Sequence, residues 1–296
     1  MTKARPKEGE LPGLLGKVEP LAARKFTIAI RRLANDLTYG LDGSRYLGSG
    51  IEYVQSREYM PGDAIKSIDW RVTARSGEVH VKEYEAPRRI PAWFLIDTSA
   101  SMVVSSTATS KYELALHVAG GLAFACLDRT SPVGIVGGGS RDLRIEPSLA
   151  KDQVLQWLLR MRRHAFDERT QLARRVAELR PTLVARSLVI VCSDLHEEGA
   201  VHAVALLAQQ HEVVVLQFQD PAEIGMRGGG FVRAQEAETG RAFVTHGRRQ
   251  PLDQARLTRE LQKGGVEHML IRTDQPFVHR LRHFFRARGL FGRGGR

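Results

Sequence analysis

The chain has 296 residues, with 43% hydrophobic and 26% charged residues and a formal net charge of +11. That length can bury a full core as one large domain or two small ones, and the composition is that of a globular protein rather than a disordered or fibrous one. No apolar run approaches the roughly 20 residues that span a bilayer, and the start lacks a signal peptide's apolar core, so neither a transmembrane anchor nor export is expected.

The only cysteines, Cys126 and Cys192, stand in apolar surroundings, which predicts buried reduced thiols. Together with the missing signal sequence, this gives the expectation of a cytoplasmic location. The positive charge implies attraction to something acidic. It is diffuse, however, with no zinc-finger spacing and no aromatic-basic sheet motif, so nucleic acid is not an expected partner.

Residues 1–20 are rich in Lys, Glu, Gly and Pro and predict a mobile leader. Residues 21–88 predict a smaller β-rich N-terminal region: a partly helical pattern from Phe26 to Leu37, a Gly-rich loop from Tyr39 to Gly50, then strands at Ile51 to Ser56 and Glu78 to Tyr84. Between the strands, Pro61-Gly62-Asp63 signals a turn. Asp63 and Asp69 alternate there with Arg57, Lys66, Arg71 and Arg75 around Trp70. The density of opposite charge predicts a structural clasp, with Trp70 buried and Asp69 set against Arg57 or Arg75. The rival expectation is an exposed recognition loop.

Trp93 to Ile96 is an unbroken apolar run, as in a strand buried on both faces of a parallel sheet. It ends in Asp97, Ser99 and Ser101. Ligands bind outside the carboxyl ends of strands in open α/β sheets, and this oxygen-only set suits Mg²⁺, Mn²⁺ or Ca²⁺. The same residues could equally form turns and cap the following helix. Ser110 and Glu113 have capping-box spacing and open an almost wholly apolar helix from Lys111 to Leu127, with Gly120-Gly121 permitting close packing. In it, His117 is expected to pack rather than to ligate.

Strands follow at Val133 to Gly137 and Leu143 to Ile145, a hairpin or sheet edge joined by the Gly137-Gly138-Gly139 turn. This turn and Gly228-Gly229-Gly230 lack the Lys-Ser/Thr of a phosphate loop. Helices are predicted at Lys151 to Arg162, Thr170 to Arg180, Ala200 to Gln210, Leu252 to Lys263 and Phe277 to Arg288. Strands are predicted at Arg186 to Cys192, Glu212 to Phe218 and His268 to Ile271. A small antiparallel insertion is expected near 225–250, and a basic tail over 291–296. The alternation of strands and helices predicts an α/β fold with a doubly wound, mostly parallel sheet over 89–290.

Asp97-Thr-Ser-Ala-Ser101 resembles the DxSxS motif of the metal-ion-dependent adhesion site in von Willebrand factor A domains. That resemblance implies two further ligands: Thr170, from a later loop, and Asp194, at the end of the next buried strand. Upstream, Arg57, Tyr59, Gly62, Asp63, Ile68, Asp69, Trp70, Ala74 and Arg75, with Lys82 beyond, resemble the signature of the family catalogued as domain of unknown function fifty-eight. The likeness spans roughly residues 38 to 285. Some members of that family carry membrane helices; none is expected here.

The resemblance implies a non-enzymatic adaptor that works with a MoxR-type AAA+ ATPase in chaperone-like maturation of a client protein. In it a divalent cation, Mg²⁺ before Mn²⁺ or Ca²⁺, would gate docking. The alternative is a metal-dependent hydrolase, for which Glu168, His196, Glu197 and Glu198 are nearby bases; all four are expected to be exposed loop charges. A weaker alternative is a peripheral membrane or nucleic-acid binder, but the final helix is expected to dock by its apolar stripe instead.

Overall fold

The structure, a computed structural model, describes residues 20–38, 52–85, 90–103, 105–162, 168–224, 231–235, 242–246 and 253–287. Apart from Pro20, the expected leader lies outside the described residues, as do the Gly-rich loop to Gly50, the Gly228–Gly230 run and the basic tail. The described residues divide into two compact units, one formed by 20–38 with those from 90 to 287, the other by 52–85.

In the smaller unit, strand β1 (Glu52–Glu58) pairs antiparallel with β2 (His80–Glu85), in a register that sets Arg57 opposite Val81. The connection turns at Gly62, whose φ of 110° is a conformation that only glycine adopts without strain. The Arg57 guanidinium grips Asp63 through two bonds of 2.7 and 2.8 Å, and Asp63 also accepts the Met60 N–H at 2.9 Å. The guanidinium foremost, then that N–H, holds the Asp63 carboxyl down at about 2.

Beyond a 3-10 turn at Ile65–Ser67, a short helix that the sequence reading missed runs over Trp70–Ser76 (α2). Asp69 caps it, accepting from Arg71 N at 3.1 Å and Val72 N at 3.4 Å, and its other oxygen accepts the Ser56 hydroxyl at 2.8 Å. This corrects the expected clasp in two respects. Asp69 turns back onto helix N–H groups, as an N-cap does, and does not pair with Arg57 or Arg75. Trp70 is 68% exposed. Trp70 and Ala74, with Arg71 and Arg75 beside them, form the outer face of the helix, while Val72 and Thr73 are half-buried.

The larger unit is built on a six-stranded sheet. Its strands are β3 (Ala92–Ile96), β4 (Val133–Gly137), β5 (Arg144–Ser148), β6 (Leu188–Ser193), β7 (Glu212–Gln219) and β10 (Glu267–Arg272). Their order is β10-β7-β6-β3-β4-β5, parallel throughout except for β5, which runs antiparallel along one edge. The central strands are apolar and buried along their whole length, as helices on both faces require. Trp93, Leu95, Val189, Val191, Val213 and Val215 pack with α5 (Leu172–Leu179), α6 (Ala200–Ala208) and α7 (Gln254–Lys263). The alternate residues Phe94, Ile96, Ile190, Cys192, Val214 and Leu216 are buried on the opposite face, where α3 (Lys111–Asp128) runs over β3, β4, β6 and β7. From β3 the chain fills one side of the sheet and then crosses back to lay β6 on the other side. The order therefore reverses between β3 and β6, and in such sheets the crevice for a ligand opens at their carboxyl ends.

Helix α1 (Pro20–Thr38) packs on α3, which moves the expected boundary of the 21–88 region: this helix belongs to the larger unit. A Cβ on Gly120 or Gly121 would stand 2.6 Å from Ile30 or Leu33, so bare glycine backbone lets the two helices meet. His117 stacks on Phe26 with ring centroids 5.3 Å apart, the packing role expected of it. Helix α4 (Lys151–Met161) follows β5, and α8 (Val278–Ala287) buries Leu281, Phe284 and Phe285. The expected insertion is an antiparallel pair, β8 (Phe231–Gln235) with β9 (Ala242–His246). Both cysteines are buried and free.

Candidate metal centre

Three adjacent strands end in aspartate: β3 in Asp97, β6 in Asp194 and β7 in Asp220. Parallel pairing of Ile96 with Cys192 brings the first two to the reversal point of the sheet. Asp97 is fully buried and folds back on its own loop, one oxygen accepting Ser99 N at 3.0 Å and the other the Ser193 hydroxyl at 2.7 Å. The Ser99 and Ser101 hydroxyls touch at 3.0 Å, and Ser101 Oγ donates to Asp194 Oδ2 at 3.0 Å, joining residues 93 positions apart. Four of the five expected ligands thus converge.

Thr170, the fifth, arrives by its backbone. Its loop is tied to the neighbourhood of Asp97 by Ala100 N to Glu168 O at 2.8 Å and Gln171 N to Gly138 O at 2.9 Å, and Thr170 itself bridges Gly139. Leu195, directly after Asp194, is buried in the left-handed region at φ 58°, a conformation held by its surroundings.

Several partners escaped the sequence reading. Lys111, the first residue of α3, is buried, and its Nζ donates to Asp194 Oδ2 at 2.7 Å and to Glu223 Oε1. His196, expected from the sequence only as a loop charge, places Nδ1 3.2 Å from Asp194 Oδ1. Asp220 accepts Ser106 N at 2.9 Å and the Ser105 hydroxyl at 3.2 Å, fixing the loop that leads into α3.

Two of the four expected loop charges, Glu168 and Glu197, are corrected as well, while His196 is exposed as expected. Glu168 is buried, accepting the Thr98 hydroxyl at 2.7 Å, Arg141 N at 3.1 Å and Arg141 Nε at 2.6 Å. A Cβ on Gly139 would lie 2.2 Å from Glu168 Oε1, so only glycine permits that approach. Glu197 is half-buried and accepts Ala173 N at 3.1 Å near the start of α5; Glu198 is exposed. Hydrogen-bonding loops at the strand ends, not solvent, surround Glu168.

The two aspartates are electrostatically unlike. Burial first, and then the charge of Asp194, push the Asp97 carboxyl up to about 7. Burial acts the same way on Asp194, but His196 and Lys111 outweigh it and hold that carboxyl below the usual range. Burial opposes the Lys111 charge too, yet Asp194 and Glu223 keep its pKa raised.

This donor set fits a hard divalent cation. It is all oxygen, and the bound cation would offset the repulsion between the buried Asp97 and Asp194 carboxylates that otherwise raises the Asp97 pKa. Asp97, Ser99, Ser101 and Asp194 would hold it, with Thr170 beside them. Asp194, His196 and Glu223 also place ligand atoms within 4.8 Å of one another, but the Lys111 ammonium already lies on two of the three.

Among known proteins, the Mycobacterium tuberculosis protein named "Uncharacterized protein Rv1480" is 25% identical over 281 residues, 90% of this chain and 89% of its own length. The Mycobacterium bovis protein named "Uncharacterized protein Mb1516" matches to the same extent. Among solved structures, the conserved hypothetical protein BatB from Bacteroides thetaiotaomicron has a TM-score of 0.43 at 17% identity, covering 67% of this chain and 98% of its own. An aerotolerance-related membrane protein from Bacteroides fragilis has a TM-score of 0.44 at 16% identity over 67% of this chain and 97% of its own. An uncharacterized membrane spanning protein from Vibrio fischeri has a TM-score of 0.24 at 16% identity over 67% and 96%.

The expected cytoplasmic location is corrected here, because the last two of these proteins are named as membrane proteins. No helix among the described residues is long and apolar enough to cross a membrane, which by itself assigns no compartment. Residues 55–261, more than half of the chain, match the model of the family described as "Protein of unknown function DUF58". The chain belongs to the DUF58 family.

Proposed function

We propose that the chain is a divalent-cation-dependent protein-interaction module of the von Willebrand A type, which works with a MoxR-type AAA+ ATPase on a client protein. The observation that carries the reading is the junction of Asp97, Ser99 and Ser101 at the end of β3 with Asp194 at the end of β6, closed by the Ser101–Asp194 bond of 3.0 Å. Hydroxyl ligands are neutral, so an ion held there keeps much of its charge and can take a carboxylate from a partner as a further ligand. The ATPase and the client come from the family resemblance, not from any residue of this chain.

A hydrolase would need a free base beside the ion. Glu168 already accepts three hydrogen bonds, and His196 is committed to Asp194, which outweighs burial and raises its pKa, favouring the proton-bearing form. Both features favour the interaction reading. The test is binding of the purified chain to the ATPase in Mg²⁺ and in EDTA. Binding that is lost in EDTA and in Ser99→Ala supports the reading, whereas equal affinity in the two buffers removes the metal bridge.

A further inference from the structure

The Asp194 carboxylate divides its partners between its two oxygens. Oδ1 accepts the His196 ring at 3.2 Å and the His196 N–H at 3.3 Å. Oδ2 alone turns to the serine hydroxyls, bonding Ser101 Oγ at 3.0 Å, and the Lys111 ammonium lies on that same oxygen at 2.7 Å. An ion held between Ser101 and Asp194 must therefore contend with Lys111 for one atom. Lys111 has a second partner, Glu223 on the turn Pro221–Ile224, where the carboxylate is more accessible at 22% exposure.

A buried ammonium is costly unless it is paired, and with a side chain only 2% exposed Lys111 cannot retreat to water. It can, however, give up one carboxylate and keep the other. Without an ion it separates Asp194 and Glu223, two like charges that would otherwise repel in a poorly hydrated pocket.

We propose that Lys111 is a tethered counter-cation of the metal centre: it competes with the divalent ion for Asp194 Oδ2 and falls back on Glu223 when the ion binds. This rests on the metal reading above and adds to it a control on affinity. The ammonium keeps the pocket folded without metal and holds ion affinity below what the oxygen ligands alone would give. Glu223 sits three residues after Asp220, which bonds Ser105 and Ser106, so an exchange at Lys111 acts on the turn that pins the loop before α3.

The experiment is a calorimetric Mn²⁺ titration of the full chain as wild type, Lys111→Met and Glu223→Gln, with thermal melts in EDTA and in Mn²⁺. Lys111→Met should bind Mn²⁺ at least tenfold more tightly than wild type, melt lower in EDTA and gain more from the ion. Glu223→Gln deprives the ammonium of its charged fallback and should bind several-fold more weakly. A structural role alone would lower affinity in Lys111→Met, so unchanged or weaker binding by a cooperatively melting Lys111→Met overturns the proposal. If that variant fails to fold in EDTA, Glu223→Gln decides, and wild-type affinity there overturns it. Tight wild-type binding with unchanged variants sinks this inference alone, while no uptake by any of the three proteins sinks the metal reading with it. Uptake by Lys111→Met only would overturn the exchange as well as the metal reading, because the natural ammonium would then never yield Asp194 to an ion.

Discussion

Glu168 offers a sharp test of how the second loop is held to the first. Its side chain is 1% exposed and accepts three hydrogen bonds, from Thr98 and twice from Arg141. In Glu168→Ala the fully buried Thr98 hydroxyl loses its acceptor, a cost of about 1–3 kcal/mol. Arg141 is 33% exposed and can turn to water, so its lost ion pair adds no more than about 1 kcal/mol. With the small void left behind, the sum is about 3 kcal/mol, or a fall of about 6–12 °C in melting temperature for a unit of this size. Glu168→Gln keeps an acceptor for Thr98 and should lose only about 1 kcal/mol. Urea and thermal melts of both variants measure this. A Glu168→Ala protein within about 0.5 kcal/mol of wild type would behave as an exposed loop charge does and refute the reasoning.

Trp70→Ala should leave stability within about 0.5 kcal/mol of wild type, because the indole is 68% exposed. A loss above about 2 kcal/mol in a urea melt would restore the buried clasp. Burial foremost holds the His117 imidazole below its ordinary value, with Glu113 opposing and Arg162 adding to the effect. A depressed folded pKa contributes stability that is full above the unfolded value of about 6.5 and is lost as pH falls through the folded one. Relative to His117→Phe, the wild-type urea midpoint should therefore fall on acidification from about pH 7 to pH 5; only this difference isolates His117, because Asp97 and His196, whose pKa values are raised, act in the opposite sense in both proteins. His211 and His268 are shifted in the same direction as His117, so the variant removes only part of the slope. The same pH dependence in both proteins would contradict this assignment.

The sheet was legible because its strands are short, wholly apolar runs that stop at a polar residue: Trp93 to Ile96 before Asp97, Leu188 to Cys192 before Ser193-Asp194. Four of the proposed ligands lie at those stops, where the chain's own pattern marks them. Lys111 was not legible, because a lysine at the first turn of a helix ordinarily faces water. Only the long-range pairing of α3 with the ends of β6 and β7 buries it. Asp220 could have been found, since it ends an apolar strand as Asp97 and Asp194 do.

Helix α2 carried its own signals, Asp69 at the N-cap and Gly77 past the end. The charge alternation between Arg57 and Arg75 masks them, since it has the pattern of ion pairs where Asp69 makes capping bonds. Trp70 was misplaced for a related reason, because a large aromatic residue among charges suggests an anchor. On a seven-residue helix, however, the face is set by which turns lie on the hairpin, and Val72 and Thr73 take that side.

The central claim is that Asp97, Ser99, Ser101 and Asp194 hold one divalent ion, and calorimetric titration of the chain with Mg²⁺ and Mn²⁺ tests it most directly. Wild type should take up about one ion per chain. Asp97→Ala should take up none; it relieves the repulsion of Asp194 but leaves the Ser99 N–H and the Ser193 hydroxyl without their acceptor, so a cooperative melt in EDTA is the check that it folds. Equal uptake by wild type and Asp97→Ala, or none by wild type, would contradict the account.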